Sequence, residues 1–298
     1  LVAPFDTEKE VYYKMFDELT DAINTLTINR TQNLTANADK VYSGNVEKWI
    51  KFANSLKLRM AMRICYVDKG KSEIMVKEAI DTSNGKLGVM TENSDNAFMP
   101  ATINPFYMVC YSYNGGETKI SADLSSYMNG YQDPRREIYG VTSTFDESEN
   151  ITNGFHGLRV GNEYPIKTGQ CYSNVKVEVS SPIMWMNAAE VMFLRAEAAL
   201  RGWDTEKTPK AYYEAGIRLS FEQLGAKNVE DYLVSTNTPE SYKDPLGTYS
   251  FSGTPSTISV QWKDGNFEES LERIITQKWI ANFPLGLEAW AEFRRTGY

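Results

Sequence analysis

Asn187-Ala188-Ala189-Glu190-Val191-Met192-Phe193-Leu194-Arg195-Ala196-Glu197-Ala198-Ala199-Leu200-Arg201-Gly202-Trp203 decides the fold of this chain. Asn187 is a good helix N-cap, and Glu190 three positions on completes a capping-box pattern, with Asn in place of the usual Ser or Thr. Val191, Leu194, Ala198 and Ala199 share one helical face, and Met192, Phe193, Ala196 and Leu200 cover much of the rest. A helix this apolar all round is predicted to be buried, and Gly202 closes it as a C′ residue does. Two carboxylates in such a helix raise the question of a site. Capping accounts for Glu190, and an i,i+4 pair with Arg201 accounts for Glu197. The stretch therefore reads as scaffold.

The pattern continues on both sides. Thr208-Pro209 opens a second helix with Pro at N1, and Gly225 closes it after Leu224. Together the two make a helix pair about as long as a tetratricopeptide unit, although no consensus repeat is visible. Further helices are predicted over residues 267–283 and 287–295, separated by Pro284-Leu285-Gly286. Towards the N-terminus, residues 7–26 carry Val11, Met15, Phe16, Leu19, Ala22, Ile23 and Leu26 at helical spacing. Asn45 caps a long helix expected to reach residue 66, with Trp49, Phe52, Ala53, Leu56, Met60 and Ile64 as its inner face. Lys57, Arg59 and Arg63 suit the negative end of that helix's dipole. A shorter amphipathic helix over 71–83 stops at Asn84-Gly85.

Between the helical parts, residues 85–186 have little helical period. Gly, Asn, Ser and Pro recur there among many aromatics, and Val-Lys-Val-Glu-Val at 175–179 alternates like a short strand. Long irregular stretches of this kind, when ordered, are often functional. The expected class is mostly α: tetratricopeptide-like helix pairs supporting a long loop-rich region with little β structure. One domain is expected over 1–298, helical in 1–84, an aromatic loop-rich insertion in 85–186, and helical in 187–298 with a loop-rich interval at 226–266.

Composition narrows the function. The 298 residues are 42% hydrophobic and 23% charged, ordinary for a folded globular chain. A net charge of −8 argues against a nucleic-acid binder, which usually shows a basic field. No apolar run approaches the roughly 18 residues of a membrane span. The first ten residues lack the basic start and apolar core of a signal peptide. Cys65, Cys110 and Cys171 are few and widely spaced, which is no disulfide framework, and Cys65 reads as a buried thiol. Aromatics reach 12%, led by 18 tyrosines, a residue type suited to wet binding surfaces as well as to cores.

Catalytic signatures are scarce. His156 is the only histidine, which excludes a multi-histidine metal site, and its Gly-Phe-His-Gly setting reads as a loop with local contacts. There is no Cys-x-x-Cys, no phosphate-binding glycine loop and no Gly-x-Ser-x-Gly elbow. Carboxylates are plentiful, yet nothing singles out a glycosidase pair. Residues 146–150 are acidic but lack the ligand spacing of a calcium loop, and read as a solvated turn. Asn29, Asn33 and Asn150 begin glycosylation sequons, relevant only in a eukaryotic secretory setting. No cofactor and no metal is expected.

Three segments together carry a resemblance. The first is Lys48-Trp49-Ile50-Lys51-Phe52-Ala53-Asn54-Ser55-Leu56-Lys57-Leu58-Arg59. The second is the Ala189-Glu190-Val191 and Leu194-Arg195-Ala196-Glu197-Ala198 core of the opening helix. The third comprises Thr276-Gln277-Lys278-Trp279-Ile280-Ala281 and Glu288-Ala289-Trp290-Ala291-Glu292-Phe293-Arg294-Arg295-Thr296-Gly297-Tyr298. In this order and spacing they resemble the SusD/RagB family of Bacteroidetes, especially its SusD-like lipoprotein branch, and Asp133-Pro134-Arg135 fits as well. The resemblance covers nearly the whole chain. It implies a mostly helical fold with a loop-rich face, and an outer-membrane, cell-surface lipoprotein without enzymatic activity. Such a protein binds a glycan or other nutrient and delivers it to a SusC-like TonB-dependent transporter. The family's lipid-carrying cysteine and N-terminal helical region are missing, and family sequences continue past residue 298. The expectation is thus a piece of a longer precursor, with membrane attachment through an anchor outside it and a site that other parts can complete.

Sugars offer apolar C–H faces and many hydroxyls, so aromatic platforms flanked by amides and charges suit them. The first candidates are Tyr107, Tyr111, Tyr113 and Asn114, which join loop aromatics to an amide and to Gly115-Gly116. Trp262 ranks second, because the other five tryptophans sit in or beside predicted helices. Two other functions stay open on the residues alone: a protein-binding helical scaffold, and a two-carboxylate glycosidase.

Overall fold

A computed structural model of the protein describes residues 5–32, 35–113, 115–143, 154–162 and 171–298. In chain order its elements are α1 (Glu8–Ile28), α2 (Val46–Arg63), α3 (Lys69–Ile80), β1 (Ala97–Met99), α4 (Pro105–Tyr107), α5 (Ala122–Gly130), α6 (Arg136–Tyr139), β2 (Ile183–Met186), α7 (Ala188–Leu200), α8 (Pro209–Leu224), α9 (Val229–Leu233), α10 (Phe267–Ala281) and α11 (Gly286–Thr296). The fold is mostly helical, as expected. The chain divides into two compact units, one formed by Leu1–Met99, Met184–Leu219 and Pro284–Tyr298, the other by Pro100–Ile183 and Ser220–Phe283. The acidic turn expected at 146–150, Asn114, and the sequons at Asn33 and Asn150 lie outside the described residues.

In the first unit α2 is central, packing against α1, α3, α7 and α11. Neighbours on several sides bury Val46, Ile50, Ala53, Leu58, Met60, Ala61 and Met62. This corrects the expected single inner face: Trp49, Phe52 and Leu56 are only half-buried. Asn45 caps α2 through Lys48 N–H at 3.0 Å, and the helix ends at Arg63, short of residue 66. The Ala-Asn-Ser segment has a plain structural use. Asn54 donates to the Gly88 carbonyl (2.8 Å) and Ser55 Oγ accepts from Met90 N–H (2.9 Å), which ties the chain after α3 onto α2. α1 begins with a closed capping box between Thr7 and Glu10. Only Phe16 of α1 is buried, and Val11 and Met15 remain exposed, because within this unit α1 packs chiefly on α2. α3 stops at Ile80, and a separate 3-10 turn at Ser83–Gly85 carries Asn84 at φ 53°.

Every residue of α7 from 188 to 198 is buried. Asn187 Oδ1 accepts from Glu190 N–H at 2.7 Å, and Gly202 takes φ 77° just past the C-cap Arg201. The Glu190 side chain goes beyond the sequence reading, because its carboxylate also pairs with a different helix. Arg59 Nε and Nη2 grip its two oxygens at 2.8 and 2.6 Å. Glu197 pairs with Arg201 at 2.8 Å, as the i,i+4 spacing predicts, and also receives both Nη atoms of Arg295 at 2.6 and 2.7 Å. Arg63 bonds Glu288, Arg59 lies 3.5 Å from Glu288, and Arg295 bonds Glu292. One alternating chain of charges therefore joins α2, α7 and α11. All but Arg63 and Arg201 come from the three segments that carry the family resemblance.

The second unit holds a matching buried knot. Arg135 is fully buried; its Nε and Nη2 reach Asp133 Oδ1 and Oδ2 at 3.0 and 2.6 Å. The same guanidinium donates to Ser220 Oγ (2.9 Å) and Gln277 Oε1 (2.8 Å), and lies 4.9 Å from the Phe221 ring centre. Tyr232 OH closes the knot by donating to Asp133 at 2.8 Å. An arginine suits this place because its planar fork can satisfy several acceptors and stack on a ring at once.

The strand expected at 175–179 does not form; only isolated bridges involve Asn174 and Val175. Its backbone groups are claimed by different partners. Lys176 N–H donates to the Tyr139 carbonyl (2.9 Å), Glu178 N–H to Ser181 Oγ (3.0 Å), and the Val179 carbonyl accepts from Asn104 N–H (2.7 Å). The interval 226–266 contains α9 and is otherwise irregular. It is pinned by Tyr242 OH on the Gly157 carbonyl (2.6 Å) and by Tyr172 OH on Asp244 (2.8 Å). Gly157 itself allows a tight crossing, since a Cβ there would sit 2.1 Å from the Ser121 carbonyl oxygen. Beside it, the backbone N–H of His156 donates to Ser173 Oγ at 3.0 Å, tying this loop to the stretch seventeen residues on.

Candidate ligand-binding site

The first candidate stretch is not a loop, and this corrects the sequence reading. Asn104 Oδ1 accepts from Phe106 N–H (2.7 Å) and Tyr107 N–H (3.4 Å), and Pro105 occupies the first turn, so a helix starts there. The cap is anchored in turn, with Asn104 Nδ2 donating to the Ser181 carbonyl at 2.8 Å. After α4 the backbone widens into a π-helical turn over Met108–Tyr113, a feature often found at functional sites.

This geometry sorts the aromatics. Phe106 turns to Phe283, edge to face at 6.4 Å, and Phe283 meets Tyr139 at 4.9 Å, so Phe106 serves as the anchor. Tyr107 and Tyr111, one turn apart, are half-buried with ring centres 5.2 Å apart and planes 30° from parallel. Tyr113 is 85% exposed, beside the exposed side chains of Met108 and Val109. Tyr111 OH bonds the Val175 carbonyl, which fixes its ring, and partial burial raises its hydroxyl pKa. Gly116, at φ 85°, lies against the Tyr111 ring and the Asn174 amide. Lys119 donates to Asn174, and burial lowers the pKa of that ammonium. Two tilted phenol rings are thus linked through Gly116 to an amide and an amine, with exposed Tyr113 two residues on in the same turn.

Sequence reasoning named the three tyrosines but missed Lys119, six residues past Tyr113, and Asn174, which lies far from them in the chain. Trp262 falls on different ground. It is 9% exposed and its indole N–H donates to Asp264 at 2.9 Å, so it has little open ring face for stacking. Among the described residues no group of three or more His, Cys, Asp or Glu side chains is arranged to hold a metal ion. Nor is any helix long and apolar enough to cross a membrane.

The family model of SusD-like proteins, described as "Susd and RagB outer membrane lipoprotein", matches residues 1–298. The chain belongs to the SusD-like family. Solved SusD structures resemble it closely. A SusD homolog from Bacteroides thetaiotaomicron VPI-5482 is 42% identical with a TM-score of 0.91, over 99% of this chain and 62% of that one. A SusD homolog from Bacteroides uniformis ATCC 8492 is 46% identical with a TM-score of 0.89, over 99% of this chain and 61% of that one. A chitin-binding SusD homolog from Flavobacterium johnsoniae is 38% identical with a TM-score of 0.89, over 98% of this chain and 61% of that one. No curated protein matches the chain. This SusD-like chain spans about three-fifths of the length of these solved relatives.

Proposed function

We propose that this chain is the larger part of a cell-surface, outer-membrane lipoprotein that captures an oligosaccharide and delivers it, uncleaved, to a SusC-like TonB-dependent transporter. The observation that carries the binding reading is the Tyr107–Tyr111 pair, with ring centres 5.2 Å apart and planes 30° from parallel, Tyr111 lying in the same turn as exposed Tyr113. A rigid aromatic surface with an amide and an amine at its edge suits stacking against a pyranose face while its hydroxyls are hydrogen-bonded. The chitin-binding relative from Flavobacterium johnsoniae supports a glycan as the ligand class. Delivery to a transporter rests on family membership. The reading also treats the 298 residues as one working domain and assigns ligand contact to Tyr107, Tyr111, Tyr113 and Asn114.

Calorimetry of the full-length protein against chitin, starch, xylan and host-glycan oligosaccharides tests it. At least one should bind, with no new reducing ends on prolonged incubation. Carboxylate-dependent release of reducing ends would replace the reading with a glycosidase. Failure to bind any of them, together with tight capture of a transporter, would favour a protein-binding scaffold.

A further inference from the structure

The first unit carries a second aromatic surface, built around Trp185. β2 buries Met184 and Met186 and leaves Trp185 between them 41% exposed, as strand alternation requires. Arg59 Nη2 lies 3.4 Å from the Trp185 carbonyl, which holds the strand against α2. The Trp185 ring is 6.4 Å from Phe52; Phe52 meets Trp49 edge-on at 5.6 Å; Trp49 meets Tyr42 edge-on at 5.1 Å. The Trp49 indole N–H donates to Asp39 Oδ2 at 2.8 Å, and the same carboxylate accepts from Val41, Tyr42 and Gly44 N–H. The loop beside the rings is thereby locked. Trp185, Trp49 and Met99, with Thr35, Asp39 and Lys40 at the edge, line a cleft of about 540 Å³.

These residues make an unusual combination for plain packing. One indole is left open to solvent, a second indole walls the cleft, and a hydroxyl, a carboxylate and an exposed ammonium surround them. We propose that this cleft is a second carbohydrate subsite, taking a single pyranose ring stacked on Trp185. The C–H face of the ring covers the indole, and its equatorial hydroxyls face Thr35 and Lys40, the Asp39 carboxylate being taken up by the loop. The ring planes from Trp185 through Phe52 to Trp49 turn by 50° and then 87°, so they form no flat platform continuing past Trp185 for a second stacked ring. The assignment rests on the glycan-binding reading and extends it to a surface that shares no residue with the tyrosine platform.

The chain has six tryptophans, so its nitrogen-15 correlation spectrum carries six indole signals, and Trp185→Phe identifies the relevant one. The full chain is titrated to millimolar levels with chitotetraose, cellotetraose and maltotetraose. At least one should move the Trp185 signal saturably, and Tyr107→Ala with Tyr111→Ala should leave that shift in place. Trp185→Phe should weaken the site about threefold to tenfold. Lys40→Ala, on an exposed side chain that leaves the packing intact, should weaken it too. Sugars that perturb the tyrosine platform but leave the Trp185 signal still would overturn this subsite and spare the proposed function. Sugars that move neither would remove both.

Discussion

Tyr111 and Trp262 show how little residue type says about role without burial. Both are aromatic and both lie beside Asn, Asp or Gly, yet one is a half-exposed ring in a pair and the other is nearly covered. Tyr111→Ala should weaken oligosaccharide binding by roughly tenfold in calorimetry, at about the upper end of what an aromatic contact contributes. Trp262→Ala should leave affinity unchanged and lower unfolding stability by about 3–5 kcal/mol, the range for emptying a buried aromatic site. Charge obeys the same distinction. Glu197 is 1% exposed and held by Arg201 and Arg295, so Glu197→Ala strands buried guanidinium charge and should cost about 3–5 kcal/mol in denaturant unfolding. Glu214, partly exposed on α8 and loosely paired with the exposed side chains of Lys210 and Arg218, should cost less than about 0.5 kcal/mol when changed to Ala.

At the scale of elements, caps were readable and partners were not. Asn45, Asn187, Thr208-Pro209, Gly202 and Gly225 begin or end helices where the sequence puts them, because capping is a local matter of a few backbone groups. Asn187→Ala should cost about 1–2 kcal/mol in thermal unfolding, with Asn187→Asp recovering most of it. What failed were statements needing a second element. Residues 175–179 alternate correctly for a strand, but Tyr139, Ser181 and Asn104 take their backbone groups one by one. The inner face of α2 came out too narrow, because one helix's periodicity cannot reveal that four others surround it. The tyrosine segment read as loop because Asn104-Pro105, a clear helix start, opens only three α-helical residues, Pro105–Tyr107, before a π turn. Its aromatics were legible as candidates, while Asn174 was not, since nothing local links positions more than fifty residues apart; Lys119 lies close by in the chain but gains its place only through Asn174.

Within each unit the family segments meet one another. Arg59, Glu190, Glu197, Glu288, Glu292 and Arg295, with Arg63 one turn beyond the first segment, complete one another in the first unit, and Arg135 meets Gln277 in the second. The tyrosines add a global response to alkali. Burial raises the Tyr127 hydroxyl from 10.0 to about 12, with the Glu272 charge adding to it, and burial pushes Tyr42, Tyr139, Tyr172, Tyr212 and Tyr242 the same way. A hydroxyl whose pKa is higher folded than unfolded favours the folded state fully below pH 10 and loses that contribution as pH rises through 12. Stability to denaturant should therefore hold to about pH 10 and then fall steeply, with tyrosinate absorbance appearing together with unfolding rather than before it. The three thiols offer a clock for smaller openings. Cys65 lies under Arg295 of α11, Cys110 sits inside the tyrosine turn, and Cys171 neighbours Tyr172; all are at most 3% exposed. Burial also raises the pKa of Cys65 and Cys110, so neither reacts readily while covered. Labelling rates at the three positions would time the lifting of α11 separately from that of the tyrosine turn. A bound sugar that slowed only Cys110 would mark, without mutation, which surface it had closed.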